Sequence, residues 1–435
     1  MWHGAPPIST ARLGAAPSAV VRHPILLHAD TVRAMKLLHI IATINPAGGG
    51  PIEGLRQLRM PLVERGVHVD VVCGDDPAAP WVRESELNVI ALGPSKGIYT
   101  YNPRLVPWLR EHGARYDAVI IEGLWQFHSL AALRVLRGKV PYYVFTHGML
   151  DPWFKARYPL KHLKKLAYWL LFERRALRHA TAVLFTCDEE RRRARLSFPW
   201  YHCTERIASY GTAQPPADDG TLRAAFHAAF PQTEGKRIVL FFGRIHEKKG
   251  CDLLIEAFAR VANVDPALQL VIAGPGTPAL REELEMLAER VGIAPRVVWT
   301  GMLSGPQKWG AFHAAEVFCL PSHQENFGVA VVEALGCGVP VLISDKVNIW
   351  REIEADGAGI VQTDTVDGTE QGLREWLAAD AATRARMRAA APLSFARRFQ
   401  SRQVGQRLLD IIQGRTDGAP PADRDSGPAL SHAAP

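Results

Sequence analysis

From Met35 onward the chain alternates short β-branched runs with longer segments of helical period. KLLHIIAT (36–43), VHVDVVC (67–73), DAVIIE (117–122), PYYVFT (141–146) and TAVLF (181–185) read as strands, bounded by Gly, Pro, Asp or Thr. Between them, stretches such as 52–65 and 101–112 place apolar residues at helical spacing. Strand and helix in alternation imply βαβ units and a parallel sheet. GTAQPPADDG (211–220) interrupts the rhythm and reads as a linker. The rhythm then restarts with RIVLFF (237–242), LQLVIA (268–273), VVWT (297–300), VFCLP (317–321) and VPVLIS (339–344).

The expected architecture is therefore α/β, with two doubly wound, Rossmann-like domains facing across a cleft. The pattern assigns 35–212 to an N-terminal domain and 213–395 to a C-terminal one. A helix at 396–414 would cross back to the N-terminal domain. Doubly wound sheets bind ligands at the carboxyl ends of their strands, so facing domains would share one site. Residues 1–34 are rich in Ala, Pro and Arg and precede a second methionine, Met35. A disordered extension or a mis-set start is expected there, a transit peptide less so. The polar, Pro-rich stretch 415–435 is expected to be disordered.

Composition narrows this picture only slightly. With 47% hydrophobic and 22% charged residues the chain has the make-up of a globular domain pair, and no apolar run approaches the roughly 18 residues of a membrane span. A balance of 51 basic to 44 acidic residues leaves +7, which suits anionic small molecules or an anionic membrane surface. Nucleic acid is not expected, because no basic–aromatic repeat accompanies the charge. Six cysteines without a C-x-x-C pair speak against a zinc or disulfide framework and for a cytoplasmic protein. The only D-x-D, Asp423-Arg-Asp425, lies in the tail and reads as chance, so no metal and no cofactor are expected.

The most informative stretch is 320–344, LPSHQENFGVAVVEALGCGVPVLIS. A buried strand runs into a polar turn, Gly328 opens a helix of roughly two turns, and Gly336-Cys337-Gly338 ends it. Amides of Phe327, Gly328 and Val329 at that helix start would form an anion site, following Asn326 in the turn. Without a Cβ, Gly328 lets a ligand reach the backbone. Glu325 and Glu333 are eight positions apart, about 12 Å if both were helical, too far for an acid–base dyad. Each carboxylate can accept from vicinal hydroxyls, one suiting a ribose and the other a hexose. Taken alone, two such glutamates are ordinary solvated charges; their setting makes them specific.

This setting resembles that of glycosyltransferase family four, retaining enzymes of the two-domain GT-B fold. Their Glu-x7-Glu signature is matched by Glu325-Asn-Phe-Gly-Val-Ala-Val-Val-Glu333, and the likeness runs from Met35 to about Gln413. It implies a metal-independent hexosyltransferase using a nucleotide-diphosphate sugar, with Glu333 on the ribose and Glu325 on the sugar. FFGRIHEKKGCDLLIEAF (241–258) agrees: a leaving diphosphate needs cations, and Arg244 and Lys249 match the family's Gly-Arg…Lys-Gly pattern. Lys248 reads as a spare, exposed charge. The same likeness brings Gly274, in the turn after LQLVIA, near the nucleotide, and the TGML segment with Met302 against the base.

In the amino-terminal half, Gly48, Gly49 and Gly50 precede a helix starting near Pro51, a loop able to offer amides to the donor phosphate or the acceptor. His147 ends PYYVFT, and the resemblance puts a histidine here at the reaction centre. HGMLDPW (147–153) and ISDKVNIWREIE (343–354) look like a bacterial polysaccharide-biosynthesis branch, which implies a glycan or lipid-linked acceptor in exopolysaccharide or envelope assembly. Residues 155–179 carry eight Lys/Arg against one acid, Glu173, and Leu163, Leu166, Leu170 and Leu177 with Trp169 can form one helical face. That segment reads either as a core helix with a solvated basic side or as a peripheral contact with anionic lipid.

Three other readings compete. Gly48–Gly54 followed by Asp75 and Asp76 has the nominal spacing of a dinucleotide fingerprint and hence of an NAD(P)-dependent oxidoreductase, though Ile44–Ala47 lengthen the turn. A nucleotide-sugar epimerase shares the fold. A catalytically dead sugar-binding module would bind nucleotide without turnover.

Overall fold

The strand pattern resolves into two parallel sheets. A computed structural model describes residues 34–415. The expectations of disorder for the leading segment and the tail, and the Asp423-Arg-Asp425 pair, lie outside the described residues. The first sheet holds β1 (Lys36–Ile41), β2 (His68–Cys73), β3 (Asn88–Ala91), β4 (Ala118–Glu122), β5 (Tyr142–Phe145), β6 (Ala182–Phe185) and β7 (Glu205–Ile207) in the order β3-β2-β1-β4-β5-β6-β7. The second holds β8 (Arg237–Phe242), β9 (Leu268–Ala273), β10 (Val297–Gly301), β11 (Ala315–Leu320), β12 (Val341–Ser344) and β13 (Gly359–Gln362), ordered β10-β9-β8-β11-β12-β13. Each sheet reverses direction beside its first strand, between β1 and β4 and between β8 and β11. Ligands bind doubly wound sheets at such switch points.

Central strands are buried on both faces, which is why they read as continuous apolar runs: β9 is buried throughout and β4 likewise. Three strands were not expected from the sequence, β3, β7 and β13. All three are edges with partly exposed residues, so none carries an uninterrupted apolar run.

The chain passes between the sheets twice, and the two crossings lie side by side. The Thr212 amide donates to the Phe399 carbonyl at 3.0 Å, and the Ser401 amide to the Thr212 carbonyl at 2.9 Å. A Cβ on Gly211 would stand 2.6 Å from the Phe399 carbonyl oxygen, so glycine is required for this approach. Pro215 packs against Gly336, so the 211–220 segment is fastened to the second sheet's helical layer. Past the crossing, the helix Ser401–Ile412 lies on the helix Gly50–Val63, with Gly405 against Pro61 and the Arg65 guanidinium donating to Gln406 at 2.9 Å. Among the described residues no helix is long and apolar enough to cross a membrane.

Leu408 is 3% exposed on the returning helix, whereas Leu393 is 70% exposed. Leu408→Ala should cost about 2–5 kcal/mol through lost burial and the cavity left behind. Thermal unfolding should show a clear loss for Leu408→Ala and almost none for Leu393→Ala.

Candidate functional site

In the second half, the loop between β11 and the helix Val329–Gly336 carries the sequence-expected cluster. Gly328 takes a left-handed φ of 81°, and no side chain caps the helix. Glu325 is clamped by its backbone: its amide donates to the Lys346 carbonyl and its carbonyl accepts from the Asn348 amide, both at 3.0 Å. Its carboxylate forms an ion pair with Lys249. Glu333, 7% exposed, pairs instead with Lys308 at 2.6 Å, from the helix Gly305–Ala314. Burial pushes the Glu333 carboxyl up from its ordinary value, the Lys308 ammonium pulls the other way, and Glu53 from the opposite half adds to the rise. The two glutamates therefore have separate partners, as their spacing implied.

Three glycines close the ends of β8, β9 and β10. A Cβ on Gly274 would meet the Gly243 carbonyl oxygen at 1.9 Å, and the Gly274 amide donates to the Gly301 carbonyl at 2.8 Å. From this edge the loop 243–250 carries Arg244, which is exposed, and Lys249, partly buried. Gly250 turns the chain at φ 65°, with the Pro321 carbonyl so close that any side chain would strike it. Burial first, then the charges of Arg244 and Lys248, draw the Lys249 ammonium down to about 8, while Cys251 acts in the opposite sense. Met302 lies 70% exposed just beyond β10.

One expectation about this loop needs correction. Lys248 is not a spare, exposed charge: its ammonium sits 4.3 Å over the Trp153 ring and its carbonyl accepts from the His323 amide at 2.8 Å. The Phe327 ring packs between Tyr210 (5.2 Å between centroids) and Phe399 (5.7 Å) at the crossing. The Asn326 side chain reaches the first half, where its amide nitrogen lies 3.4 Å from the Thr186 hydroxyl and its Cγ would stand 2.6 Å from a Cβ on Gly148.

In the first half, Gly49 begins the helix Gly50–Val63 with φ 80°, and a Cβ on Gly49 or Gly50 would meet nothing within 4 Å. Tyr210 donates its hydroxyl to the Gly50 carbonyl, and its ring lies 6.2 Å from that of His147. His147 has a left-handed φ of 48°, a conformation costly for a non-glycine residue. Two acids hold it there. Glu190 accepts from the Thr146 hydroxyl and Gly148 amide at 2.6 Å each, and from Thr186 through its amide (2.7 Å) and hydroxyl (2.6 Å). Glu122 joins His147 Nε2 and His39 Nδ1, each at 2.6 Å, through its two oxygens. Burial alone would raise the Glu122 carboxyl, but the two histidine hydrogen bonds prevail and hold it at about 2. No group of three or more His, Cys, Asp or Glu among the described residues is arranged to hold a metal.

The dinucleotide reading fails on Asp75. Its carboxylate is committed to the Thr43 hydroxyl at 2.6 Å and the Ile44 amide at 2.7 Å, so it braces the loop after β1 and is not turned to a ribose. The basic segment also departs from one continuous face. It breaks into Trp153–Arg157, Pro159–Tyr168, a π-turn at Trp169–Glu173 and Arg174–His179. The wider π-turn shifts the register, so Trp169 and Leu177 are buried while Leu163 is 63% and Leu170 37% exposed. Glu173 is fully buried, and burial raises its carboxyl to about 7.

Four residues of the cluster were missed: His39, Glu122, Glu190 and Lys308. His39 and Glu122 interrupt otherwise apolar strands, the one signal the sequence offered, since a buried polar side chain needs a partner. Glu190 and Lys308 sit on short helices among many other charges and carry no such mark.

The model for "Glycosyl transferases group 1" matches residues 223–393, and that for a "Glycosyl transferase 4-like domain" matches 49–201. A D-inositol 3-phosphate glycosyltransferase of Xylanimonas cellulosilytica is 30% identical over 218 residues, 48% of this chain and 50% of that protein. The alpha-D-kanosaminyltransferase of Streptomyces kanamyceticus is 32% identical over 262 residues, 58% of this chain and 64% of that protein. The chain thus spans about half to two-thirds of the length of these relatives. Among solved structures, an Anabaena protein, HepE, in complex with UDP superposes with a TM-score of 0.72 at 17% identity, over 87% of this chain and 100% of that one. The sucrose-phosphate synthase of Thermosynechococcus elongatus gives 0.70 at 22%, over 87% and 98%.

Glu122 titrates below its ordinary 4.5, so its contribution to stability is complete above about pH 4.5 and is lost as pH falls through about 2. The gap in unfolding temperature between the wild type and Glu122→Gln should be widest above pH 5 and should close on acidification. A gap independent of pH would contradict the His39–Glu122–His147 chain.

Proposed function

With both halves matched by glycosyltransferase models, the chain belongs to the family-four glycosyltransferases of the GT-B fold, and we propose that it transfers a hexosyl residue with retention from a nucleotide-diphosphate sugar, UDP- or GDP-linked, to a glycan or lipid-linked acceptor. The observation that carries this reading is the meeting of Lys249 and Glu325 beside an uncapped helix start, at the switch point of β8 and β11. Cation, carboxylate and free amides are the three groups a sugar diphosphate needs.

In this reading Arg244 and Lys249 take the diphosphate, Glu325 the transferring sugar and Glu333 the ribose. Gly274, Met302 and the amides of Phe327–Val329 complete the donor site, and Asn326 stands at its junction with the first half. Gly48–Gly50 face the diphosphate, and His147 stands where the acceptor hydroxyl attacks. The bond from the anomeric carbon to the phosphate oxygen breaks as the acceptor oxygen bonds to the same face. The hydroxyl proton passes to the leaving phosphate, which departs as nucleoside diphosphate. Arg244 and Lys249 stabilise the charge that develops, without a metal.

The acceptor side suits a peripheral contact with an anionic membrane, from the cytoplasmic face and within polysaccharide assembly. The helix Pro159–Tyr168 has no buried residue, and Leu160 (80%) and Leu163 (63%) are exposed beside Lys161 and Lys164. Apolar side chains among lysines bind an anionic interface by both burial and charge.

Screening UDP- and GDP-sugars should find a donor that releases free nucleotide, and NMR of the transfer product should show the donor's anomeric configuration. Lys249→Ala should cut turnover by about 10²–10³-fold while the protein stays folded. An inverted anomer would refute the mechanism, and an altered sugar released without acceptor would favour the epimerase. In flotation assays the protein should rise with phosphatidylglycerol vesicles but not with phosphatidylcholine. Added salt and the Leu160→Ser/Leu163→Ser double variant should each weaken that binding.

A further inference from the structure

A cavity of about 870 Å³ opens between the Trp153–Arg157 helix of the first half and the helices Cys251–Val261 and Pro278–Arg290 of the second. That volume falls within the range of small-ligand sites, about 300–1,000 Å³. None of the residues assigned to the donor or to catalysis lines it. It shares a wall with them nonetheless. Lys248 faces the cavity while the next residue, Lys249, turns to Glu325, and the His323 amide pins the two loops of that wall together at 2.8 Å through the Lys248 carbonyl.

We propose that this cavity is a second saccharide site, which holds a neutral oligosaccharide stretch of the acceptor away from the sugar that reacts; the proposal rests on the transferase reading above. Its lining has the chemistry of sugar recognition. Trp153 and Tyr158 meet edge to face, with centroids 6.1 Å apart; the Lys248 ammonium lies 4.3 Å over the one ring and the Lys161 ammonium 4.6 Å over the other, and the aromatic surface that these leave can meet the C–H faces of pyranose rings. The floor is apolar, formed by buried Cys251, Leu284 and Leu287. Around it stand five carboxylates and five lysine or arginine side chains, so hydroxyls find both acceptors and donors.

That balance selects against a polyanion, which would meet as many like charges as opposite ones. Several of the polar groups are already oriented. Arg193 is held by Asp151 through two hydrogen bonds of 3.1 Å, and His323 by Asp364 at 3.0 Å. Because both halves contribute walls, an oligosaccharide bound here would touch both domains while its end reaches the cleft.

The test uses the full chain and saturation-transfer NMR with maltohexaose, cellohexaose and mannohexaose, with glucose and mannose as monosaccharide controls. At least one hexaose should receive saturation and the monosaccharides should not. Trp153→Ala should abolish the signal, and Leu280→Trp, which fills the cavity from the Pro278–Arg290 helix, should do so independently. Unfolding temperatures report whether each variant is folded. The inference is overturned if no hexaose binds the wild type, or if binding survives in a folded Leu280→Trp variant. Nucleotide release from donor sugars by the wild type is measured alongside. If release occurs without hexaose binding, this site fails alone; if no donor is cleaved, the transferase reading fails with it.

Discussion

The two sheets are held in register by one short piece of parallel pairing, where the outgoing chain at Thr212 lies against the returning chain at Phe399 and Ser401. Every cleft geometry described above depends on it. A side chain at Gly211 would separate the two crossings, and the Ser401–Ile412 helix would lose its seat on the Gly50–Val63 helix. The loop after β11 thereby meets the ends of β5 and β6, where Asn326 lies against Gly148 and Thr186.

On either side of that meeting the charges are arranged in partnered sets. Glu325 has Lys249, Glu333 has Lys308, Glu122 has two histidines, and Glu190 has two threonine hydroxyls and two amides. A buried carboxylate without such partners would cost several kcal/mol, so this pairing is what lets acids collect there. The strained turn at His147 is held by the same means, from Glu122 on its ring and Glu190 on its backbone.

Much of this was legible in the sequence where one local pattern carried the information. Ten strands announced themselves as apolar runs, and the three that did not are edges, where one side faces solvent and the run is diluted. Glu325, Glu333 and Lys249 stood out because turn, helix start and glycines surround them in sequence. Lys308 and the His39–Glu122 pair did not, because Lys308 lies 25 positions from Glu333, and Glu122 lies 83 from His39. Contacts between elements so far apart leave no local trace. The basic segment misled for a related reason: a helical face drawn on a uniform period cannot foresee a π-turn at Trp169–Glu173.

Phe327 joins two parts of the molecule that the sequence keeps apart. Its backbone belongs to the loop that carries Glu325, and its ring is wedged between Tyr210 and Phe399, on the two chain segments that cross between the halves. A rotation of one half against the other has to pivot around that ring or drag it along. The loop that bears the acidic side chain is therefore anchored to the crossing through one ring, so the seat of Glu325 and the joint between the halves share a single aromatic peg.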